Sequence, residues 1–514
     1  MNFDLPAFRR DEAVSLKLRA ALERRGYELY RAGSFEEYDT YLKHNEFLNR
    51  GDVITFTSPD GRLMAMKPDI TLSIVKNSPP GEQRRVYYNE SVFRRDRRTG
   101  EYREIKQMGL EFIGGEGEDA DAEALSLAAQ SLDIIGDGAL DLSHTGFVDM
   151  ALSRFSGEWR RCALDALSSK SPHAMREAAR AFGLDAKTEN ALARLAALSG
   201  PAENAFAEAR DIAAELSCGV EPLDELEALF QRCKDGAKTR FRLDFSIRGD
   251  ADYYSGLIFQ GFVNGASRAA LTGGRYDNLT LRFGKRRGAV GFALYLDEIG
   301  RDERGRDDGF LNVALPKGRL GGHAYKLFEK AGLGCDGVFG ESRKLVFEDK
   351  EGKTRYFLVK PSDVGSYVEH GAADIGVAGK DMLLENGSDV IELLDMGFGK
   401  CRLVAAGLQS FKEDPALPLR VATKYPSVAR AYYAALSRDV DIIKLNGSIE
   451  IAPIVDLADV IVDIVETGHT LKENNLTVFG EIVASSARLI ANRASWRFKN
   501  DAISALTRKL EGLS

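Results

Sequence analysis

Apolar positions recur at two spacings along this 514-residue chain, and the change of spacing divides it. Val14, Leu18, Ala21 and Leu22 fall on one face of a helix predicted between Asp11 and Arg25. Strand-like segments follow at Val53 to Thr57, at Leu63 to Lys67 and, beyond a turn at Asn77 to Gly81, at Arg85 to Asn89. Between Arg84 and Gly115, two extended segments flank the charged, glycine-containing loop Arg94 to Arg103, which predicts an antiparallel hairpin. Helical spacing then governs Gly146 to Lys234, as at Ala191, Leu192, Leu195 and Ala196, so this stretch reads as a helical insertion with Trp159 and Phe182 in its core. The run IGRDERGRDDG, Ile299 to Gly309, has no apolar residue after its first and reads as a linker. From Leu311 onward, strands (Leu311 to Leu315, Tyr356 to Val359, Ile375 to Val377) alternate with helices. This predicts a parallel or mixed sheet with ligands at the C-terminal strand ends.

The most informative segment of the second half is Val460 to Leu471. A β-branched apolar run interrupted by Asp463 closes on Glu466, Thr467, Gly468, His469 and Thr470, after which a helix opens at Leu471. A strand, a tight polar turn and a helix start leave backbone N–H groups unpaired above the strand end, where a phosphate is their natural partner. Asp463 and Glu466 stand where carboxylates can hold ribose hydroxyls or a hydrated magnesium ion. An ordinary strand-to-helix turn capped by Thr467 or Thr470 explains the same pattern, and the segment alone leaves both readings open.

Composition narrows the classes. The length demands two or more domains, and 44% hydrophobic with 29% charged residues describes a globular chain. A net charge of -8 argues against nonspecific nucleic-acid binding. The sequence has no apolar run of membrane-spanning length, and MNFDLPAFRRDEA lacks a signal-peptide core, which gives a cytoplasmic expectation. Five scattered cysteines without a CxxC pair, and six histidines without an HxxxH pair, give no protein-held transition metal.

The hairpin resembles motif 2 of class II aminoacyl-tRNA synthetases, in their histidyl branch: Glu90, Phe93 and Arg94 match the start, Gln107 and Glu111 the end of the second strand. Met66 to Thr71, the DYY of Tyr253 and Tyr254, and LTGGRYDNL with GAVGFAL agree with further motifs of that branch. The resemblance implies an α+β class II synthetase-like antiparallel-sheet domain over 1–300, with its helical insertion at about 147–235. It also implies an amino-acid pocket in which Asp69, Gln107 and Glu111 receive an ammonium group and Tyr253 and Tyr254 wall an imidazole. Two departures remove the ligase chemistry. Where the synthetases end motif 3 with an arginine that faces ATP, this chain has Glu298, and Glu101 replaces a motif 2 loop arginine. Attraction for phosphate becomes repulsion. Arg248 and Gly249 stand one residue further from Tyr253 than the family spacing places them.

Residues 310–514 resemble the short form of the ATP phosphoribosyltransferases. The matching pieces are LNVALPKGRL, ESRKLVF, DVGSYVEHGAADIGVAGKDMLLE, CRLVAA, RVATKYPSVA, and LNGSIEIAP through TGHTLKENNL. This resemblance implies a two-lobed α/β catalytic domain like a periplasmic binding protein, after a linker at 301–309. Lobe one is expected at about 310–398 and 481–514 and lobe two at about 399–480, with crossovers near Met396 to Val404 and near Glu481. It further implies that Glu466, Thr467, Gly468, His469, Thr470 and Leu471 seat the sugar phosphate of phosphoribosyl pyrophosphate, with Asp463 and Glu466 near the ribose and no catalytic role for His469. The resemblance likewise implies that Lys317, Arg319, Arg343 and Lys360 serve the charges of ATP and pyrophosphate as the catalytic cations. Asp456 stands where the family often has glycine.

Together the two resemblances imply a transferase joined to a synthetase-like regulatory domain that takes free histidine as effector, with magnesium brought by substrate, assembly as a homo-oligomer, and no nucleic-acid or membrane partner. A histidyl-tRNA ligase would need the motif 3 arginine. A small-molecule-binding protein of the two-lobed kind has no use for LPKGRL or VETGHTL.

Overall fold

The computed structural model describes residues 8–42, 53–79, 81–96, 100–247, 253–299, 308–340 and 343–513, side chains of Thr40 and Leu42 excepted. Most of the expected linker, 300–307, and the Arg248–Gly249 pair lie outside these residues. The chain forms two compact units, one of Met1–Asp308 with Arg493–Lys499, the other of Gly309–Asn492 with Asn500–Ser514.

The first unit is built on a nine-stranded sheet. In spatial order its strands are Glu28–Leu29, Arg84–Arg95, Tyr102–Ile113, Ala289–Tyr295, Leu271–Arg275, Leu257–Val263, Gly138–His144, Arg240–Asp244 and Ser199–Pro201. Neighbours run antiparallel except at Glu28–Leu29 with Arg84–Arg95 and at Gly138–His144 with Arg240–Asp244. The hairpin is the longest pairing, twelve residues per strand. Helix Gly117–Ile135 buries Leu125, Ala128 and Leu132 in the same apolar cluster as Leu140 and Phe259 of the sheet.

Helices Thr145–Ala151, Gly157–Ser168, Pro172–Ala181, Ala186–Ala197, Ala202–Leu216 and Glu221–Cys233 make the insertion, and their Ala and Leu faces join that cluster. Phe182 packs on the cluster against Phe155 at 5.4 Å, whereas Trp159, read as core, is 38% exposed. It sits in the first turn of its helix, whose buried face is Ala163, Ala166 and Leu167. Before the hairpin, helix Ile70–Asn77 occupies a stretch read only as the approach to a turn; the Asp69 carboxylate caps it by accepting from Leu72 N–H at 2.9 Å.

The second unit has two sheets. One is ordered Val346–Asp349, Thr354–Val359, Leu311–Pro316, Ile375–Gly379, Ala487–Ala491 and Ile391–Asp395; the other Val440–Lys444, Leu419–Thr423, Val460–Val465, Cys401–Leu408 and Leu476–Ser485. The chain passes from the first to the second between Asp395 and Cys401. It returns at Ser486 rather than near Glu481, because Leu476–Ser485 stays paired with Cys401–Leu408 through two register shifts that absorb the extra residues. Residues 493–499, expected in lobe one, group with the first unit.

Candidate functional site

In the first lobe of the second unit, Leu311–Pro316 and Thr354–Val359 run parallel with Pro316 opposite Val359, so Lys317 and Lys360 leave the same end of adjacent strands. Lys317 N–H donates to Val359 O at 2.8 Å. The third strand, Val346–Asp349, is antiparallel; its register continues through the bond from Leu358 N–H to Leu345 O, which brings Arg343 level with Lys360. Gly318, at φ +90°, turns the chain from strand end into helix Arg319–Lys330, a conformation only glycine enters without strain. Lys317, Arg343 and Lys360 are exposed and make no ion pair among the described residues. Three cations and an open helix start converge at one sheet end, as polyphosphate binding requires.

In the second lobe, Val460–Val465 is an inner strand, and Glu466, Thr467 and Gly468 form the turn above it. Gly468 takes φ +78° and the helix His469–Glu473 opens two residues before the expected Leu471. Thr467, His469 and Thr470 are exposed while Leu471 anchors the turn in the lobe core. Asp463 is half-buried, and its carboxylate accepts from Ile464 N–H at 2.8 Å. Burial pushes the Asp463 carboxyl up to about 6; the nearby Glu450 charge adds to the rise, while the Ile464 bond and Lys424 oppose it. Glu450 and Lys424 are absent from the residues read off the sequence, because they come from a 3-10 turn and a strand end that only the fold brings beside Asp463. Arg319 joins the lobes: its Nη2 donates to Glu466 Oε1 at 2.5 Å.

Asp456 also gains an explanation. It takes φ +57°, where glycine is free of strain and aspartate is tolerated, and its carboxylate accepts from Arg420 Nη2 at 2.7 Å.

The first unit holds a cavity of about 230 Å³ lined by all five residues expected there, Asp69, Gln107, Glu111, Tyr253 and Tyr254. Gln107 and Glu111 share one face of their strand. Glu111 is 2% exposed; it accepts hydrogen bonds from Thr71 Oγ1 at 2.6 Å and from Tyr276 Oη. Burial pushes its carboxyl up to about 8 against those two donors. Gly291 faces it across the sheet, and a Cβ there would lie 1.9 Å from Glu111 Oε2, so the glycine of GAVGFAL makes room for this carboxylate. Tyr253 and Tyr254 meet edge to face at 4.9 Å. Arg94, which the sequence placed in motif 2 but not in the pocket, also lines the cavity; it donates to Pro68 O at 2.7 Å and to Asp69 Oδ2 at 3.2 Å. Thr71 and Tyr276 were missed in the same way. A buried acid, a cation and an aromatic wall suit a small zwitterion with a flat side chain.

A family model for histidyl-tRNA synthetase matches residues 2–299, and one for ATP phosphoribosyltransferase matches residues 360–512. The chain is 58% identical over 202 residues to an ATP phosphoribosyltransferase from Brachyspira hyodysenteriae, covering 39% of this chain and 98% of that protein. It is 53% identical over 207 residues to one from Clostridioides difficile, covering 40% and 98%. A crystal structure of an ATP phosphoribosyltransferase regulatory subunit/histidyl-tRNA synthetase from Bacillus halodurans aligns with TM-score 0.50 at 22% identity over 63% of this chain and 85% of that one, a likeness of fold. The sheet with its helical insertion is thus the class II synthetase fold, and the chain belongs to the ATP phosphoribosyltransferase family through its C-terminal half and to the histidyl-tRNA synthetase family through its N-terminal half.

Proposed function

We propose that the chain transfers the phosphoribosyl group of phosphoribosyl pyrophosphate to an adenine ring nitrogen of ATP, releasing pyrophosphate, as the first step of histidine biosynthesis. We further propose that free histidine inhibits it from the cavity of the first unit. One observation carries the catalytic reading. The Arg319 guanidinium, which follows the cation-bearing strand end of one lobe, donates to Glu466 in the turn of the other at 2.5 Å, and this contact supports reading the two as one site.

The attacking nitrogen has its lone pair at neutral pH, so the site needs no strong base. Its task is to bring two polyanions together and hold the charge that develops on the leaving pyrophosphate. In this reading the Glu466 to Leu471 turn binds the sugar phosphate through backbone N–H groups and the Thr467 and Thr470 hydroxyls. Asp463 and Glu466 accept from ribose hydroxyls, and Lys317, Arg319, Arg343 and Lys360 take the ATP and pyrophosphate charges. Among the described residues no group of three or more His, Cys, Asp or Glu is placed to hold a metal. In this reading magnesium enters with phosphoribosyl pyrophosphate, and the carboxylates of Asp463 and Glu466 are hard oxygen donors of the type it accepts.

In the cavity, Glu111 and Asp69 take the histidine ammonium, Arg94 its carboxylate, and Tyr253 and Tyr254 its ring. Among the described residues no helix is long and apolar enough to cross a membrane. We assign the protein to the cytoplasm as a homo-oligomer. Incubating it with ATP, magnesium and phosphoribosyl pyrophosphate should produce the ultraviolet absorbance of the adduct, and histidine should suppress it. No absorbance change would overturn the catalytic reading, and no suppression the regulatory one.

A further inference from the structure

The first unit contains a buried charge cluster that neither substrate chemistry nor effector binding uses. Asp141 and Asp244, on the neighbouring strands Gly138–His144 and Arg240–Asp244, are wholly buried. Between them lies the fully buried guanidinium of Arg497: Nε donates to Asp141 Oδ2 at 2.7 Å and Nη2 to Asp244 Oδ2 at 3.0 Å. Its plane rests 4.0 Å from the Phe262 ring centre, and Nη1 donates to Arg493 O at 2.6 Å. Lys170 of the helical insertion completes the cluster, 2.7 Å from Asp244 Oδ1. Burial opposes ionisation of Asp244, but Lys170 and Arg497 more than offset it and hold its carboxyl below the ordinary range.

Two features set this cluster apart from a structural staple. It is incompletely satisfied: Asp141 Oδ1 and Arg242 Nε are buried 3.4 Å apart, and neither has a hydrogen-bond partner among the described residues. It also lies in line with the cavity. A single cross-strand row runs Tyr88, Gly109, Ala293, Thr272, Gln260, Asp141, Arg242. Directly opposed residues share a sheet face. Tyr88, Ala293, Thr272 and Gln260 line the cavity, and Asp141 is the next position, one strand spacing or about 5 Å beyond Gln260. Arg497 thus reads the row at its far end, and it does so from a segment whose two ends continue in sequence into the second unit, at Asn492 and Asn500.

Resting on the histidine reading above, we propose that segment Arg493–Lys499 carries the occupancy of the cavity to the transferase, with Arg497 as the coupling residue that Asp141 and Asp244 hold. The segment supplies its own reporter. Trp496, beside Arg497, is 9% exposed and is one of only two tryptophans.

The test uses the full chain carrying Trp159→Phe, so that Trp496 emits alone. Histidine binding is measured by calorimetry, Trp496 emission along the same titration, and inhibition in Arg497→Met and Arg497→Lys. The expected result is an emission shift with the calorimetric midpoint. In Arg497→Met, turnover without histidine should stay within about twofold while the inhibition midpoint rises about tenfold, the scale of allosteric coupling. Arg497→Lys should be intermediate. Calorimetric binding with no emission shift, or an unchanged inhibition curve in Arg497→Met, overturns the inference alone. If that variant fails to fold, an unchanged curve in Arg497→Lys does so. No calorimetric binding to the parent chain overturns the histidine reading and this inference with it.

Discussion

Arg319 and Glu466 meet at 2.5 Å although each belongs to a different lobe of the transferase unit and both are largely exposed, at 83% and 51% of their side-chain surface. A solvated pair of this kind adds at most about 1 kcal/mol to stability. In the proposed site the pair has another use: Arg319 takes a phosphate charge of the substrate and Glu466 accepts from ribose hydroxyls. Arg319→Ala should leave the thermal midpoint unchanged and lower kcat/KM for ATP by about a hundredfold, the loss of a charged contact. Steady-state kinetics beside a melting curve check this. Parent-like kinetics would remove Arg319 from the site.

The turn makes a separate prediction. Thr467 and Thr470 are exposed, and Leu471 and Gly468 hold the turn's shape. Thr467→Val and Thr470→Val should therefore fold as the parent does and raise the KM for phosphoribosyl pyrophosphate about tenfold each, as expected for a hydrogen bond to a charged group. An unaltered KM in both would return the turn to the ordinary capped kind.

Much of this site was legible in the sequence because it is local. Lys317, Gly318 and Arg319 are consecutive, as are Glu466 to Leu471, and strand-turn-helix patterns carry their own phosphate logic. What stayed hidden depends on register and crossing. Glu450 reaches Asp463 through a turn of one helical coil, Arg94 reaches the cavity only after the hairpin folds back on Pro68, and helix Ile70–Asn77 is fixed by its Asp69 cap and its burial rather than by a long periodic run. The grouping of Arg497 with Asp141, 356 residues earlier, has no local signal at all.

In the proposed site, Asp463 should make the transferase sensitive to mild acid. With its carboxyl pushed up to about 6 in the free protein, it gains a proton as pH falls through that value and can no longer accept from ribose hydroxyls as a carboxylate. The value of kcat/KM for phosphoribosyl pyrophosphate should fall below about pH 6 in the parent, and Asp463→Asn should be low and lack this acid limb. The linkage sign is opposite for stability. A carboxyl raised on folding contributes stability below its ordinary value, and that contribution is lost as pH rises through about 6.

In the proposed histidine pocket, Glu111 should couple binding to protons. Its carboxyl is pushed up to about 8, so near neutral pH it is mostly protonated in the empty cavity. An ammonium group beside it favours the carboxylate and expels the proton. Calorimetry near pH 7 in buffers of different ionisation enthalpy should show release approaching one proton per site, absent in Glu111→Gln. Without histidine, the parent should lose up to several kcal/mol of stability as pH rises from about 4.5 to about 8, a loss Glu111→Gln should not share. Equal proton release in the two proteins would move the ammonium contact elsewhere.

The angle between the lobes has its own fastening. Asp381, 7% exposed on the first lobe, accepts from Tyr425 Oη of the second at 3.0 Å and from Ser485 Oγ, one residue before the return crossing, at 2.9 Å. Four residues on, the Glu385 carboxylate accepts from Ser427 and Val428 N–H at the start of helix Pro426–Ala435. None of these groups is among the proposed substrate contacts. Tyr425→Phe strips one donor from a buried carboxylate and should cost about 1–3 kcal/mol in denaturant unfolding. Because closure sets the distance between the cations of one lobe and the turn of the other, the same variant should raise the KM of both substrates together. An effect on stability with both KM values unmoved would make Tyr425 a packing residue and leave the lobe angle to the Glu385 and Arg319 contacts and the two crossings.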